Sequence, residues 1–189
     1  MLEFNFHPFP VIETERLTLR AITMDDAPKL FKLRNDLDVM RYIERLPHRT
    51  LEDSKEMIEK IMDGIKNNNM IEWVVTLKGK EDMIGSISYH RIEKEHHRAE
   101  IGYMLHPMYW RKGIINEAMI AVIRYGFETM KLHSVEANIN PDNVASSNLL
   151  KKNGFVKEAY FKENYFFNGN FYDSEIYSLL EKNRLGDKT

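Results

Sequence analysis

One stretch, Tyr109-Trp110-Arg111-Lys112-Gly113-Ile114-Ile115-Asn116-Glu117-Ala118, constrains this chain more than any other. It follows an apolar, strand-like run, Ile101 to Leu105, that Pro107 ends. It then opens a helical pattern, with Met119, Val122, Ile123, Phe127 and Met130 recurring at three-four spacing. Strand, tight basic turn and amphipathic helix in that order imply an α/β unit. The turn suits an anion. First-turn amides of a helix have no intrahelical partner, and the macrodipole adds partial positive charge there. Gly113 permits a positive φ and a close backbone approach, while Arg111 and Lys112 add full charges. The same residues also fit a solvated turn before an ordinary surface helix, and one glycine beside two cations does not choose between the two.

A second segment narrows the choice. Ser134 to Ile139 reads as a strand, and Asn140-Pro141-Asp142-Asn143-Val144-Ala145-Ser146-Ser147-Asn148-Leu149-Leu150-Lys151-Lys152-Asn153-Gly154-Phe155 follows it. The ordered pair resembles the GNAT superfamily of acetyl-CoA-dependent N-acetyltransferases. Within it the match is closest to the RimJ/RimL-type branch, which acetylates ribosomal-protein N-termini. In that family the first segment is a pyrophosphate loop, Gln/Arg-x-x-Gly-x-Gly/Ala; Gly113 falls on its first glycine and Trp110 on the Gln/Arg place. The second matches as Asn-x-x-Asn-x-x-Ser through Lys-x-Gly-Phe. The resemblance extends to Glu13–Arg20 and to Tyr165–Leu180, nearly the whole chain. Ile115 departs from it, standing where Gly or Ala is usual; its side chain would narrow the diphosphate's approach, although only its backbone N–H need point at the ligand.

Composition bounds the rest. At 189 residues, 43% hydrophobic and 30% charged, the chain fits one globular domain, here 1–189 with its core at about 11–182. The formal net charge of −2 offers no global field for nucleic acid or an anionic membrane. The absence of cysteine removes disulfides, thiolate nucleophiles and Cys-based metal sites. The seven histidines include no His-x-x-x-His pair, so no metal is expected. Met1–Pro10 lacks a basic n-region and no segment reaches transmembrane length, so a soluble cytoplasmic protein is expected.

Taken in order, Arg16–Thr23 alternates as a half-buried strand, and Thr23 to Asp26 offers caps for a helix over 27–35. Residues 38–43 form a short connector. Thr50 with Asp53 caps a helix over 51–67 whose stripe is Met57, Ile58, Ile61, Met62 and Ile65. Strands are predicted over 71–77, 83–92, 98–105, 134–139 and 155–161, with helices over 115–130 and 146–153. A hairpin, Tyr165–Phe167 and Phe171–Leu180, turns at Asn168-Gly169-Asn170, and 184–189 reads as a polar tail. The implied architecture is α/β: the GNAT (acyl-CoA N-acyltransferase) fold, a mixed, mostly antiparallel central sheet flanked by helices.

Amide formation on a thioester needs a hold on the nucleotide tail, a base for the amine, a donor for the oxyanion and a proton for the thiolate. By resemblance, Gly113, Ile114, Ile115 and Asn116 backbone groups hold the tail with Arg111, Lys112 and Trp110 beside them, and Asn143 and Ser146 lie near the pantetheine and thiol. The oxyanion donor is a backbone N–H at Met104 or Leu105. Glu100, a carboxylate inside the apolar strand Ala99–Leu105, is the candidate base, its pKa expected to rise with partial burial. It also reads as an edge-strand charge that discourages strand addition. Ser146 matches the serine placed near the thiolate in RimL-like proteins, whose hairpin glutamate is replaced here by Tyr165. Tyr165 is then a second candidate acid, or plain hairpin packing.

Three activities fit. The chain acetylates a peptide or protein N-terminus, or a small amine such as an antibiotic, polyamine or amino-acid derivative, or it is an acyl-CoA-binding sensor without catalysis. A monomer or homodimer fits each.

Overall fold

The structure is a computed structural model that describes residues 2–184. Of the polar tail expected over 184–189, residues 185–189 lie outside the described residues. Strands are β1 (Ile12–Glu13), β2 (Leu17–Arg20), β3 (Ile71–Leu77), β4 (Gly85–Glu93), β5 (Arg98–Leu105), β6 (Ser134–Ile139), β7 (Val156–Phe167) and β8 (Asn170–Leu180). Helices are α1 (Ala27–Asn35), α2 (Leu37–Met40), α3 (Leu51–Lys66), α4 (Ile114–Glu128) and α5 (Val144–Lys152). The strands form one sheet in the order β1-β2-β3-β4-β5-β6-β8-β7. Every neighbouring pair is antiparallel except β5–β6, so the sheet is mixed and mostly antiparallel, as expected.

That single parallel pair positions the site. α4 is the crossover between its two strands, the connection parallel strands require. The pairing covers only Arg98–Glu100 against Ser134–Glu136. β5 then runs on through Ile101–Leu105 with β4 on one side and no strand on the other, leaving a gap in the sheet.

Packing explains the near-continuous apolar run of β3. Trp73 is fully buried against Tyr125 of α4, with ring centroids 5.2 Å apart, and Tyr89 of β4 donates its hydroxyl to the Val122 carbonyl of α4 at 3.1 Å. Ile58, Ile61 and Ile65 of α3 are buried too, the stripe that the helical spacing predicts. Met62, placed on that stripe by the sequence, is instead 45% exposed. Each large side chain so buried stabilises the fold by about 1.5–3 kcal/mol.

Several boundaries differ from expectation: β2 ends at Arg20 and not Thr23, β4 begins at Gly85 and not Met83, and α4 spans Ile114–Glu128 and not 115–130. α5 begins at Val144, two residues early, because the Asn143 side chain accepts the Ser146 amide as N-cap. β7 is continuous through Phe167, since its ladder with β8 absorbs irregularities between Lys157 and Ala159 and between Phe161 and Tyr165. The second of these is held by Asp173, which accepts the Glu163 amide at 2.8 Å. The short β1 was not expected; it pairs with β2 through Ile12 and Glu13 only.

Candidate active site

The turn between β5 and α4 has the backbone that the sequence demands of it. Gly113 is the residue before α4 and takes a φ of +74°, and Arg111 also lies in the left-handed region at +58°. Trp110 is pinned rather than free: its indole N–H donates to the Leu105 carbonyl at 2.7 Å, folding the turn back on the strand. Glu117, in the first turn of α4, accepts from the Thr14 hydroxyl at 2.6 Å, the Arg16 amide at 2.8 Å and Arg16 Nε at 2.6 Å. Arg16 also donates to the Lys112 carbonyl at 3.0 Å. Burial would raise the Glu117 pKa, but these donors outweigh it and hold the carboxyl below its ordinary value. Glu117 thus fastens the segment before β2 to the basic turn, and it was not singled out in the sequence. Ile115, half-buried, packs its side chain against the core.

α5 is seated beside the gap by two serine–tyrosine bonds. The Ser146 hydroxyl lies 2.5 Å from the Tyr103 hydroxyl of β5, and the Ser147 hydroxyl lies 2.9 Å from Tyr177 of β8. Asn143 caps the helix by accepting the Ser146 amide at 3.1 Å, which fixes where Ser146 stands. Asn153, at the end of α5, donates to the Asn116 side chain of α4 at 3.1 Å, so the two recognised segments touch directly. Between them opens a cleft of about 690 Å³, in the range of small-molecule sites. Met104, Leu105, Trp110, Arg111, Gly113, Ile114, Ile115, Asn116, Asn143 and Ser146 all line it, with Val39, Tyr42 and Ile43 at the other wall. Lys112 lies outside that lining, with its ammonium 5.9 Å from the Tyr109 ring centre.

Ladder geometry separates Met104 from Leu105. Opposed residues of an antiparallel pair alternate between bonded and non-bonded. The His106 amide bonds the Ile84 carbonyl at 2.8 Å, so Met104 with Ser86 is a bonded pair and Leu105 with Gly85 is not. The Met104 amide therefore faces β4, and the Leu105 amide faces the gap. The Leu105 carbonyl, on that same side, is the one that Trp110 reaches.

Glu100 stands apart from the cleft. It lines a separate pocket of about 150 Å³ with Arg91, Arg98 and Glu136. Its oxygens lie 3.3 Å from His90 Nε2 and 2.8 Å from Arg91 Nη1. Burial pushes its pKa up, as expected from the strand, but the bonds and charges of His90 and Arg91 win, and the net shift is downward. Glu100 and Met104 share a face of β5 four residues apart, about 13 Å at ~3.3 Å per residue. Tyr165 is 42% exposed and donates its hydroxyl to the Glu44 carbonyl at 3.1 Å, tying the hairpin to the loop after α2.

Two further residues escaped the sequence reading. Tyr103 read as one more apolar residue of β5, yet its phenol is the partner of Ser146, and burial pushes its pKa up to about 12. Glu72 lies buried in β3, and its Oε1 has no partner among the described residues. Burial raises its pKa against the Ser86 hydroxyl and the charges of His90, Arg34 and Arg45. A carboxylate inside an apolar strand is the signal that picked out Glu100, and it applied equally to Glu72.

The arrangement fits an extended ligand with an anionic tail. A left-handed glycine brings the backbone close, the first-turn amides of α4 point outward, and the cleft leads from there to Ser146. No group of acidic, histidine or cysteine side chains with metal-binding geometry occurs among the described residues.

Comparison with known proteins agrees with this geometry. The family described as "Acetyltransferase (GNAT) domain" matches residues 16–156. YoaA of Bacillus subtilis, named as an uncharacterized N-acetyltransferase, is 35% identical over 139 residues, 74% of this chain and 78% of that protein. A spermidine N(1)-acetyltransferase of Vibrio cholerae is 25% identical over 129 residues, 68% of this chain and 72% of that protein. The crystal structure of a GNAT-family acetyltransferase from Bacillus anthracis superposes with a TM-score of 0.82 at 34% identity, covering 92% of this chain and 99% of its own. RimL, a ribosomal L7/L12 alpha-N-protein acetyltransferase in complex with coenzyme A, superposes with a TM-score of 0.83 over 90% of this chain and 98% of its own; at 20% identity it bears on the fold alone.

Proposed function

The chain belongs to the GNAT family of acetyl-CoA-dependent acyltransferases, and on that premise we propose that it acetylates the α-amine of a peptide or protein N-terminus. The observation that carries the acceptor is the state of Glu100. The attacking amine must be neutral, and a carboxylate held below its ordinary pKa by His90 and Arg91 is a weak base. An α-amine, with a pKa near ~8, is neutral about one time in ten at pH 7, whereas a lysine amine near ~10.4 is neutral about once in ~2,500. A site with so little basicity is matched to an amine that loses its proton readily. The same reasoning counts against an alkyl amine as basic as lysine, which is the small-molecule alternative suggested by the spermidine acetyltransferases. The match of Asn140–Phe155 to the RimJ/RimL-type motif supports the same reading, and with it a place among cytoplasmic enzymes.

When bound, acetyl-CoA supplies the activated acyl carbon and the thiol leaving group. The amides of Ile114, Ile115 and Asn116, reached past Gly113, hold its diphosphate, with Arg111 and Lys112 as counter-charges. The Leu105 amide, turned into the gap, donates to the carbonyl oxygen as negative charge develops there. Asn143 orients Ser146, whose hydroxyl meets the sulfur. Glu100 collects the amine proton through water, given its distance along the strand. Tyr165, its hydroxyl committed to the Glu44 carbonyl, ties the hairpin to the loop after α2 and leaves the thiolate to Ser146.

The test offers one peptide with a free N-terminus and an internal lysine, and maps the acetyl group by mass spectrometry. N-terminal modification is expected; predominant lysine modification refutes the acceptor. Glu100→Gln is expected to lower kcat more than it raises the KM for acetyl-CoA, and full turnover would remove Glu100 from the mechanism.

A further inference from the structure

The two bonds that seat α5 differ in where they lie. Ser147–Tyr177 is buried and continues to Glu175, whose Oε2 accepts the Tyr177 hydroxyl at 2.9 Å. Ser146–Tyr103 instead lies on the cleft wall, with both residues lining it. Ser146 has one hydroxyl hydrogen, which it can give to Tyr103 or to a ligand, but not to both. Its backbone cannot swing away, because Asn143 holds its amide.

We propose that Tyr103 is a positioning residue: its phenol donates to Ser146 Oγ, so that the single serine hydrogen turns into the cleft and bonds the sulfur of the acyl donor as it leaves. The inference rests on the cleft being the acetyl-CoA site. Burial keeps the phenol neutral, with a pKa up at about 12, so it remains a donor at any working pH. A thiol titrates near ~8.5, well below either hydroxyl, so the pair does not surrender a proton to sulfur. It acts as a chain of two hydrogen bonds, each polarising the next. As nitrogen bonds to the acetyl carbon, the C–S bond breaks and its electron pair goes to sulfur. The proton lost by nitrogen and the one finally gained by sulfur balance through water, with Tyr103 and Ser146 unchanged.

The test titrates the thiol of coenzyme A bound to the intact protein, read by the ultraviolet absorbance of the thiolate. The chains compared are the unaltered one, Tyr103→Phe, Ser146→Ala and Tyr177→Phe. The bound thiol is expected to be about three- to tenfold more acidic in the unaltered chain than in Tyr103→Phe or Ser146→Ala, and unchanged in Tyr177→Phe. Tyr103→Phe should lower kcat about tenfold with the KM for acetyl-CoA within about twofold, and Tyr103→Phe/Ser146→Ala should be no worse than Ser146→Ala alone. Identical thiol titrations in the unaltered chain and Tyr103→Phe overturn the inference. So does an equal fall in kcat for Tyr177→Phe, which would make both bonds simple props for the helix. If coenzyme A fails to raise the Tm of the unaltered chain, the cleft assignment fails and the inference with it; a raised Tm with identical titrations removes the inference alone.

Discussion

Replacing Gly113 with Val separates the backbone's part in ligand binding from its part in folding. At a φ of +74° an L side chain is strained by about 1–2 kcal/mol, and a β-branched one lies at the upper end. A Cβ there would sit 3.4 Å from Arg16 Nη2, an ordinary contact, so the folded chain has room for the first added carbon. The ligand-free protein should therefore lose about 1–2 kcal/mol, or ~2–8 °C in Tm for a chain of this length. Binding should suffer more, because in the proposed site the new side chain would stand between the diphosphate and the amides of α4. At a concentration one hundred times Kd, a ligand stabilises the native state by about 2.7 kcal/mol, a rise of ~5–11 °C. If Gly113→Val weakens binding about a hundredfold, the same concentration stabilises by about 0.4 kcal/mol, a rise of ~1–2 °C. The assay is thermal unfolding of both chains with and without acetyl-CoA, comparing the shifts and not the melting temperatures themselves. A full shift in Gly113→Val would show that the turn does not hold the diphosphate.

Three further outcomes follow from individual contacts. Gly126→Ala would place a Cβ 2.5 Å from the Tyr89 hydroxyl beneath α4, and should cost about 1–3 kcal/mol in urea unfolding; an unchanged midpoint would mean that the packing there is looser than described. Asn143→Ala removes the cap of α5, expected to cost about 1 kcal/mol or ~2–4 °C, while Asn143→Asp should retain most of it; equal Tm values for the two would dismiss the cap. The Glu117 pKa is depressed on folding, so its stabilisation is present above the unfolded carboxyl value near ~4.3 and is lost as pH falls through the folded one. Glu117→Gln should lower Tm at pH 7 and flatten the acid limb of the Tm profile, and an acid limb as steep as in the unaltered chain would argue against the Arg16–Glu117 clamp.

What could be read from the residues alone was whatever depends on near neighbours. The left-handed Gly113, the outward amides of α4, the Thr50 cap of α3 and the α3 core stripe are set by a few adjacent positions, and local rules reach that far. The specificity of the Asn140–Phe155 motif has the same origin, since Asn143 and Ser146 are three residues apart on one helix end. Contacts between distant elements were not legible. Arg16, just before β2, meets Glu117 of α4 across 101 residues and Tyr103 of β5 meets Ser146 of α5 across 43, and the docking of each helix against the strands, not spacing, brings each pair together. The base candidate shows the difference most plainly. A glutamate in an apolar strand predicted a raised pKa, because burial is all that one strand can report. The His90 and Arg91 side chains of β4 reverse it, and only the β4–β5 register puts them there. The cleft itself is decided the same way. It exists because β5 and β6 stop pairing after Glu100 while both chains continue, and whether two strands stay in register is a property of the assembled sheet.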